Sequence, residues 1–150
     1  MTYFILFAAI TLFLAWMVSS TRWKLSKALK NRLDDANFTV YKDKSVSATA
    51  KLKAGETLGI PIACTVFLND REIHLIPSKF HLLLFMSDFP FSFYRKDNNK
   101  LKARSTDNSE IVFNSTKKSA STFGKVFEIT VKVPKENERD EMLRKIKKWR

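Results

Sequence analysis

The stretch Tyr3 to Ser20, YFILFAAITLFLAWMVSS, constrains this chain more than any other, because it contains no charged residue, no proline and no glycine. At ~1.5 Å rise per residue, a helix of that length reaches roughly 27 Å, close to the thickness of a hydrocarbon core. Such a run is either kept in lipid or lost as a secretory signal. A signal carries positive charge ahead of its apolar run and small residues at a cleavage site. Here nothing basic precedes the run, while Arg22, Lys24, Lys27, Lys30 and Arg32 follow it before the first acidic residue, Asp34. That order favours a retained single-pass anchor over a cleaved signal. By the positive-inside rule, the N-terminus faces outward and the rest of the chain lies in the cytoplasm, at the cell membrane.

Every charged side chain follows the run, and the formal net charge is +12. A basic domain is suited to an anionic surface rather than to a cation or a basic protein. For a domain tethered at a bilayer, the nearest such surface is the headgroup layer, where each juxtamembrane Lys or Arg contributes about 1 kcal/mol. The expected partners are therefore the membrane itself through residues 3–20, anionic lipid headgroups without selectivity among them, and a protein whose identity the sequence does not define. Nucleic acid is not expected. The single cysteine, Cys64, has no intramolecular disulfide partner, which agrees with a reducing compartment. The triplets Asn37-Phe38-Thr39 and Asn114-Ser115-Thr116 match glycosylation acceptors, and in a cytoplasmic domain they are accidental.

Three parts follow along the chain: an anchor at 1–20, a basic juxtamembrane helix or linker at 21–37, and a β domain at 38–150. In TRWKLSKALKNRLDD, the residues Leu25, Ala28, Leu29 and Leu33 fall near one helical face and Lys24, Lys27 and Lys30 turn away from it. Trp16 and Trp23 bracket the expected interface, where an indole buries its ring and still reaches water. A plain solvated stop-transfer segment is the alternative. Small residues on the anchor, Ala8, Ala9 and Ala15, offer a modest surface for packing on other membrane helices.

After Asn37, β-branched and aromatic residues gather in short runs between turn-forming clusters, so the domain reads as mainly β. The spacing predicts strands at 38–42, 45–52, 60–68, 72–76, 80–86, 91–94, 101–105, 110–114 and 126–133, with adjacent runs free to merge. In the last of these, Phe127, Ile129, Val131 and Val133 alternate with Val126, Glu128, Thr130 and Lys132, giving one buried face and one wet face. Pro134 stops the strand. Asn137 then reads as the cap of a helix that is acidic at its start, basic at its end, and apolar at Met142, Leu143, Ile146 and Trp149. The segment Asn114 to Thr122 reads as a solvated loop or hairpin tip.

Many short antiparallel strands followed by one amphipathic helix resemble the pleckstrin-homology-like (PH-like) superfold, especially its bacterial membrane-associated members and the related GRAM domains. The hairpin VFLNDREIHL at 66–75 is similar to that family's "Leu-Tyr-Leu-Thr-Asp-x-Arg-Leu-x-Phe", with Asn69 in the place of Thr and Arg71 one position early. The resemblance implies a partly open antiparallel β-barrel of about seven strands closed by a C-terminal helix. It also implies a binding or scaffolding module rather than an enzyme. Lys51 and Lys53 lie near the family's phosphoinositide-binding lysines, but no arginine completes that set.

Little in the sequence points to catalysis. One cysteine and two histidines fall short of a zinc site. Cys64 and His74 form a nucleophilic pair only if a hairpin brings them together, and Cys64 sits in an apolar run where thiols are inert. Gly55, Gly59 and Gly124 match no phosphate-cradling pattern. No catalytic residue, metal or cofactor is expected. The candidate membrane-surface residues are Arg22, Trp23, Lys24, Lys27, Lys30, Arg32, Arg144, Lys145, Lys147, Lys148, Trp149 and Arg150. Phe89, Phe91 and Phe93 recur at period two in FMSDFPFSFY, and they are either core or an exposed aromatic surface for lipid or a partner.

Overall fold

The computed structural model describes residues 2–34, 37–51, 57–86, 89–95, 102–106, 109–114, 120–121 and 124–147. It begins with one unbroken helix, α1 (Thr2–Asp34), that carries the apolar run directly into the basic segment. Strands β1 (Thr39–Lys51), β2 (Thr57–Leu68), β3 (Glu72–Pro77), β4 (Phe91–Tyr94), β5 (Lys102–Thr106), β6 (Glu110–Asn114), β7 (Ala120–Ser121) and β8 (Gly124–Lys132) follow, then helix α2 (Glu136–Lys147). All pairings are antiparallel, in the order β4-β3-β2-β1-β8-β6-β5, with β7 on β8. The sheet curls into a half-barrel with an N-terminal and a C-terminal helix, compatible with a PH-like fold.

The expectation of about seven strands is corrected. Six strands of five residues or more (β1, β2, β3, β5, β6 and β8) form the wall, and the four-residue β4 and two-residue β7 add to it at β3 and β8. The runs at 38–42 and 45–52 join as β1 across a bulge between Tyr41 and Lys44, where Asp43 takes φ 53°. Aspartate tolerates that left-handed conformation, and the bulge sharpens the local twist that curls the sheet. The predicted strand at 80–86 is instead a loop ending in the 3-10 turn Leu82–Met86. Its consecutive leucines lack the alternation a half-buried strand needs.

Register puts one set of side chains on the concave face. Val46, Ile62 and Val131 face one another across β1, β2 and β8, and Cys64, Val66, Leu75, Phe91 and Phe93 continue the layer toward β4. Ile129, Val131 and Val133 are buried while Lys132 is exposed, as the alternation in β8 requires. The side chain of Phe127 lies outside the described residues. Met142 and Ile146 of α2 enter the same core, with Leu143 packed at its edge. α2 begins at Glu136, so Asn137 lies inside its first turn and is not its cap. The bond from the Arg139 N–H to the Lys135 carbonyl closes that turn at 3.0 Å.

Lys44 pairs with Glu138, and this bond is the main reason the Glu138 carboxyl is held below its ordinary range. Ile146 is 2% exposed within the core. Ile146→Asp is therefore expected to cost roughly 3 kcal/mol or more, because it buries a carboxylate with no partner. Denaturant unfolding of the detergent-solubilised chain measures this, and an unchanged midpoint would mean that α2 does not close the sheet.

Candidate membrane-contact site

The first half of α1 turns its large apolar side chains outward, with Tyr3 88% exposed and Phe4, Phe7, Leu12 and Phe13 similarly uncovered. In water such a surface would be costly, whereas in lipid it is the favourable arrangement. The polar Thr11 within it is satisfied internally, donating its hydroxyl to the Phe7 carbonyl at 2.9 Å. By length and hydropathy this helix is able to cross a membrane.

From Ala15 onward one stripe of the helix is covered. Ala15, Ser19, Ser26 and Leu33 are buried, and Arg22 and Leu29 between them are half-buried, so the stripe steps by four and three residues alternately. The small side chains at 15, 19 and 26 admit a close neighbour. That neighbour is chiefly the Leu82–Met86 turn, and further down it is β3. The Ser19 hydroxyl donates to the Leu82 carbonyl at 2.6 Å. Trp23 meets Phe80 edge-to-face at 6.5 Å, and the Lys27 ammonium lies 5.5 Å above the Trp23 ring. At the lower end Leu33 packs with Phe67 and Ile76 on the outer face of the sheet.

The predicted apolar face of residues 21–35 is thereby shifted. Leu33 and Leu29 do pack, but Leu25 and Ala28 are exposed and border an open groove of ≈ 470 Å³ between α1 and Phe89-Pro90. The serines take their place because close approach rewards small side chains, not long ones. Ala15, noted as a surface for other membrane helices, is covered by the chain's own domain. The sequence signal that was missed is the near-heptad recurrence of small residues at 15, 19 and 26.

The candidate basic residues are not brought to one place. Lys24, Lys27, Lys30 and Arg32 are exposed along α1, directly after the apolar run. On α2, Arg144 and Lys147 are exposed, but Lys145 bonds Thr39 Oγ1 and pairs with Glu141 at 3.1 Å. Thr39 pairs with Leu68, next to the Phe67 that holds Leu33. From Ser19 to Leu33 the helix advances ~21 Å, so Lys24 lies nearest the apolar run, while Arg32, beside Leu33, lies at the end that Lys145 reaches through Thr39. Lys148, Trp149 and Arg150 lie outside the described residues.

Phe89, Phe91 and Phe93 are buried in the core, which corrects their reading as an interaction surface. The Phe89 and Phe91 centroids are 4.7 Å apart, and Phe91 and Phe93 stack at 6.5 Å. The period of two put them on one face, and that face is the concave one.

Cys64 and His74 stand on opposite faces of the sheet, since Cys64 pairs with Pro77 in the concave layer and His74 pairs with Phe67 on the outer one. His74 is buried between Ser92 Oγ at 2.8 Å and Glu72 Oε2 at 2.9 Å, with Phe38 and Tyr94 edge-on to its ring. Burial pushes the Cys64 thiol well above its ordinary range, away from the reactive thiolate. Among the described residues, no three metal-ligating side chains converge. No known protein family matches the sequence, and no characterised protein matches it either. In the folded chain Cys64 is expected to resist a water-soluble disulfide reagent, with modification following global unfolding. Stoichiometric reaction under native conditions would contradict the burial described here.

Proposed function

We propose that this chain is a non-enzymatic, membrane-anchored binding module of the PH-like type, similar to GRAM domains, held at the cytoplasmic leaflet. The observation that carries this reading is the continuity of α1. One helix exposes an apolar surface of bilayer length and then, without a break, packs its next turns onto the domain. A cleaved signal has no reason to be built into the fold of what remains after cleavage, and here the packed stripe starts within the apolar run, at Ala15.

Anchoring sets the electrostatics. Lys24 and Lys27 lie within ~11 Å of the end of the apolar run along the helix axis, whereas Arg32 lies beside Leu33, at the end of the packed stretch that Lys145 of α2 also reaches. Attraction to a charged leaflet decays over ~8 Å at physiological ionic strength, so Lys24 and Lys27 supply most of it. The anchor fixes the domain at the leaflet, and the basic flank orients it for a protein partner.

Two experiments test these points. An alkaline phosphatase domain fused after Arg150 is expected to be inactive in a bacterial host. It should gain activity when Lys24, Lys27, Lys30 and Arg32 are all replaced by Gln, because those charges set the orientation. Activity in the unsubstituted fusion would place the domain outside. In the second experiment, a fragment of residues 21–150 is mixed with phosphatidylglycerol vesicles at rising salt. The same four replacements should remove most of the salt-sensitive binding, whereas Arg144→Gln with Lys147→Gln should remove little. Equal losses would mean that both basic groups face the leaflet.

A further inference from the structure

We propose that the connection between β3 and β4 enters the lipid beside α1 through Phe80 and Leu82, giving the domain a second membrane contact. This inference rests on the reading of α1 as an anchor. Depth is set by the helix itself. Ser19 belongs to the uncharged run, and its hydroxyl holds the Leu82 carbonyl at 2.6 Å, so Leu82 sits at the level of the run's last turn. If the anchor occupies the bilayer, Leu82 cannot lie far outside it.

The composition of the connection fits that depth. Residues 80–86, FHLLLFM, contain no Asp, Glu, Lys or Arg. Phe80 and Leu82 are 41% and 38% exposed, and both lie against α1, Phe80 at Trp23 and Leu82 at Ser19. Lys79, exposed at the start of the connection, and Lys27, above Trp23, are placed to meet headgroups.

Irregular backbone at membrane depth is tolerated only where its polar groups have partners within the protein. Here Leu82 accepts from Ser19, the Leu83 N–H reaches His81 Nδ1 at 3.2 Å, and the Leu84 N–H reaches the His81 carbonyl at 3.0 Å. On the core side, Leu84 is fully buried among the residues of the concave face. The connection therefore has one side in the core, one on the helix, and an exposed apolar third side at Phe80 and Leu82 beside α1. Lipid, rather than another protein, is the occupant that this depth, level with Ser19 of the uncharged run, selects.

The test uses the full chain in vesicles of phosphatidylcholine and phosphatidylglycerol. Since Cys64 is buried, a nitroxide label is directed to an added thiol at Leu82→Cys, Phe80→Cys, Val18→Cys on the anchor, or Asp70→Cys in the β2–β3 turn. Collision with oxygen, which concentrates in lipid, is compared with collision with a water-soluble nickel chelate. The oxygen-to-nickel ratio at position 82 is expected to approach that at position 18 and to exceed that at position 70 severalfold. Position 80 repeats the measurement should a label at 82 disturb the turn. Ratios at 80 and 82 that match position 70, with position 18 in lipid, would overturn the second contact and leave the anchor standing. A water-like ratio at position 18 would overturn the anchor and this inference together.

Discussion

The concave face of a half-barrel has to be covered, and three separate parts of the chain share that cover. Met142 and Ile146 come from α2, Leu84 and Phe89 from the β3–β4 connection, and Trp23 from α1. A curled sheet open along one side leaves its inward side chains wet unless something packs across it. Here the cover joins the membrane-directed helix to the core, so the position of α1 is part of the domain's packing and not an independent feature of a tethered chain.

This coupling separates the protein from a domain on a flexible leash. A linker of polar residues would leave the domain free to tumble, and its contacts with the leaflet would be averaged over orientations. Instead the serine and alanine stripe lets the β3–β4 connection approach the helix closely, and Leu33 fastens the helix again on the outer face through Phe67 and Ile76. With attachment at both ends of the packed stretch, the sheet is held in a fixed orientation relative to α1. Basic residues line α1 from Lys24 to Arg32, and on α2 Lys145 engages Thr39 and Glu141.

Much of the architecture was legible residue by residue. The long apolar helix could be read because charge is excluded over a bilayer's length, and β4 and β6 fell at their predicted bounds because turn-forming residues flank them. The alternation of Ile129 and Val131 with Thr130 and Lys132 assigned the faces of β8 before any partner strand was known. The three phenylalanines of FPFSFY were correctly put on one face, but periodicity does not say whether a face turns to the core or to the outside. Register with β3 decided that, by setting Phe91 opposite Leu75 and Phe93 opposite Ile73.

By itself, then, the sequence determined that this chain has an apolar helix of membrane length, a basic flank, a mainly β domain and an amphipathic terminal helix. Each of these is written in local composition and period, which short segments carry independently of what they touch. Only the tertiary structure decided that α1 is one continuous helix packed on the domain, that Leu82 lies level with Ser19, and that Phe89, Phe91 and Phe93 turn to the core. Those facts depend on contacts between residues far apart in the chain, 63 positions in the case of Ser19 and Leu82. Local patterns do not encode such contacts, because many partners of the same polarity would satisfy a buried serine equally well.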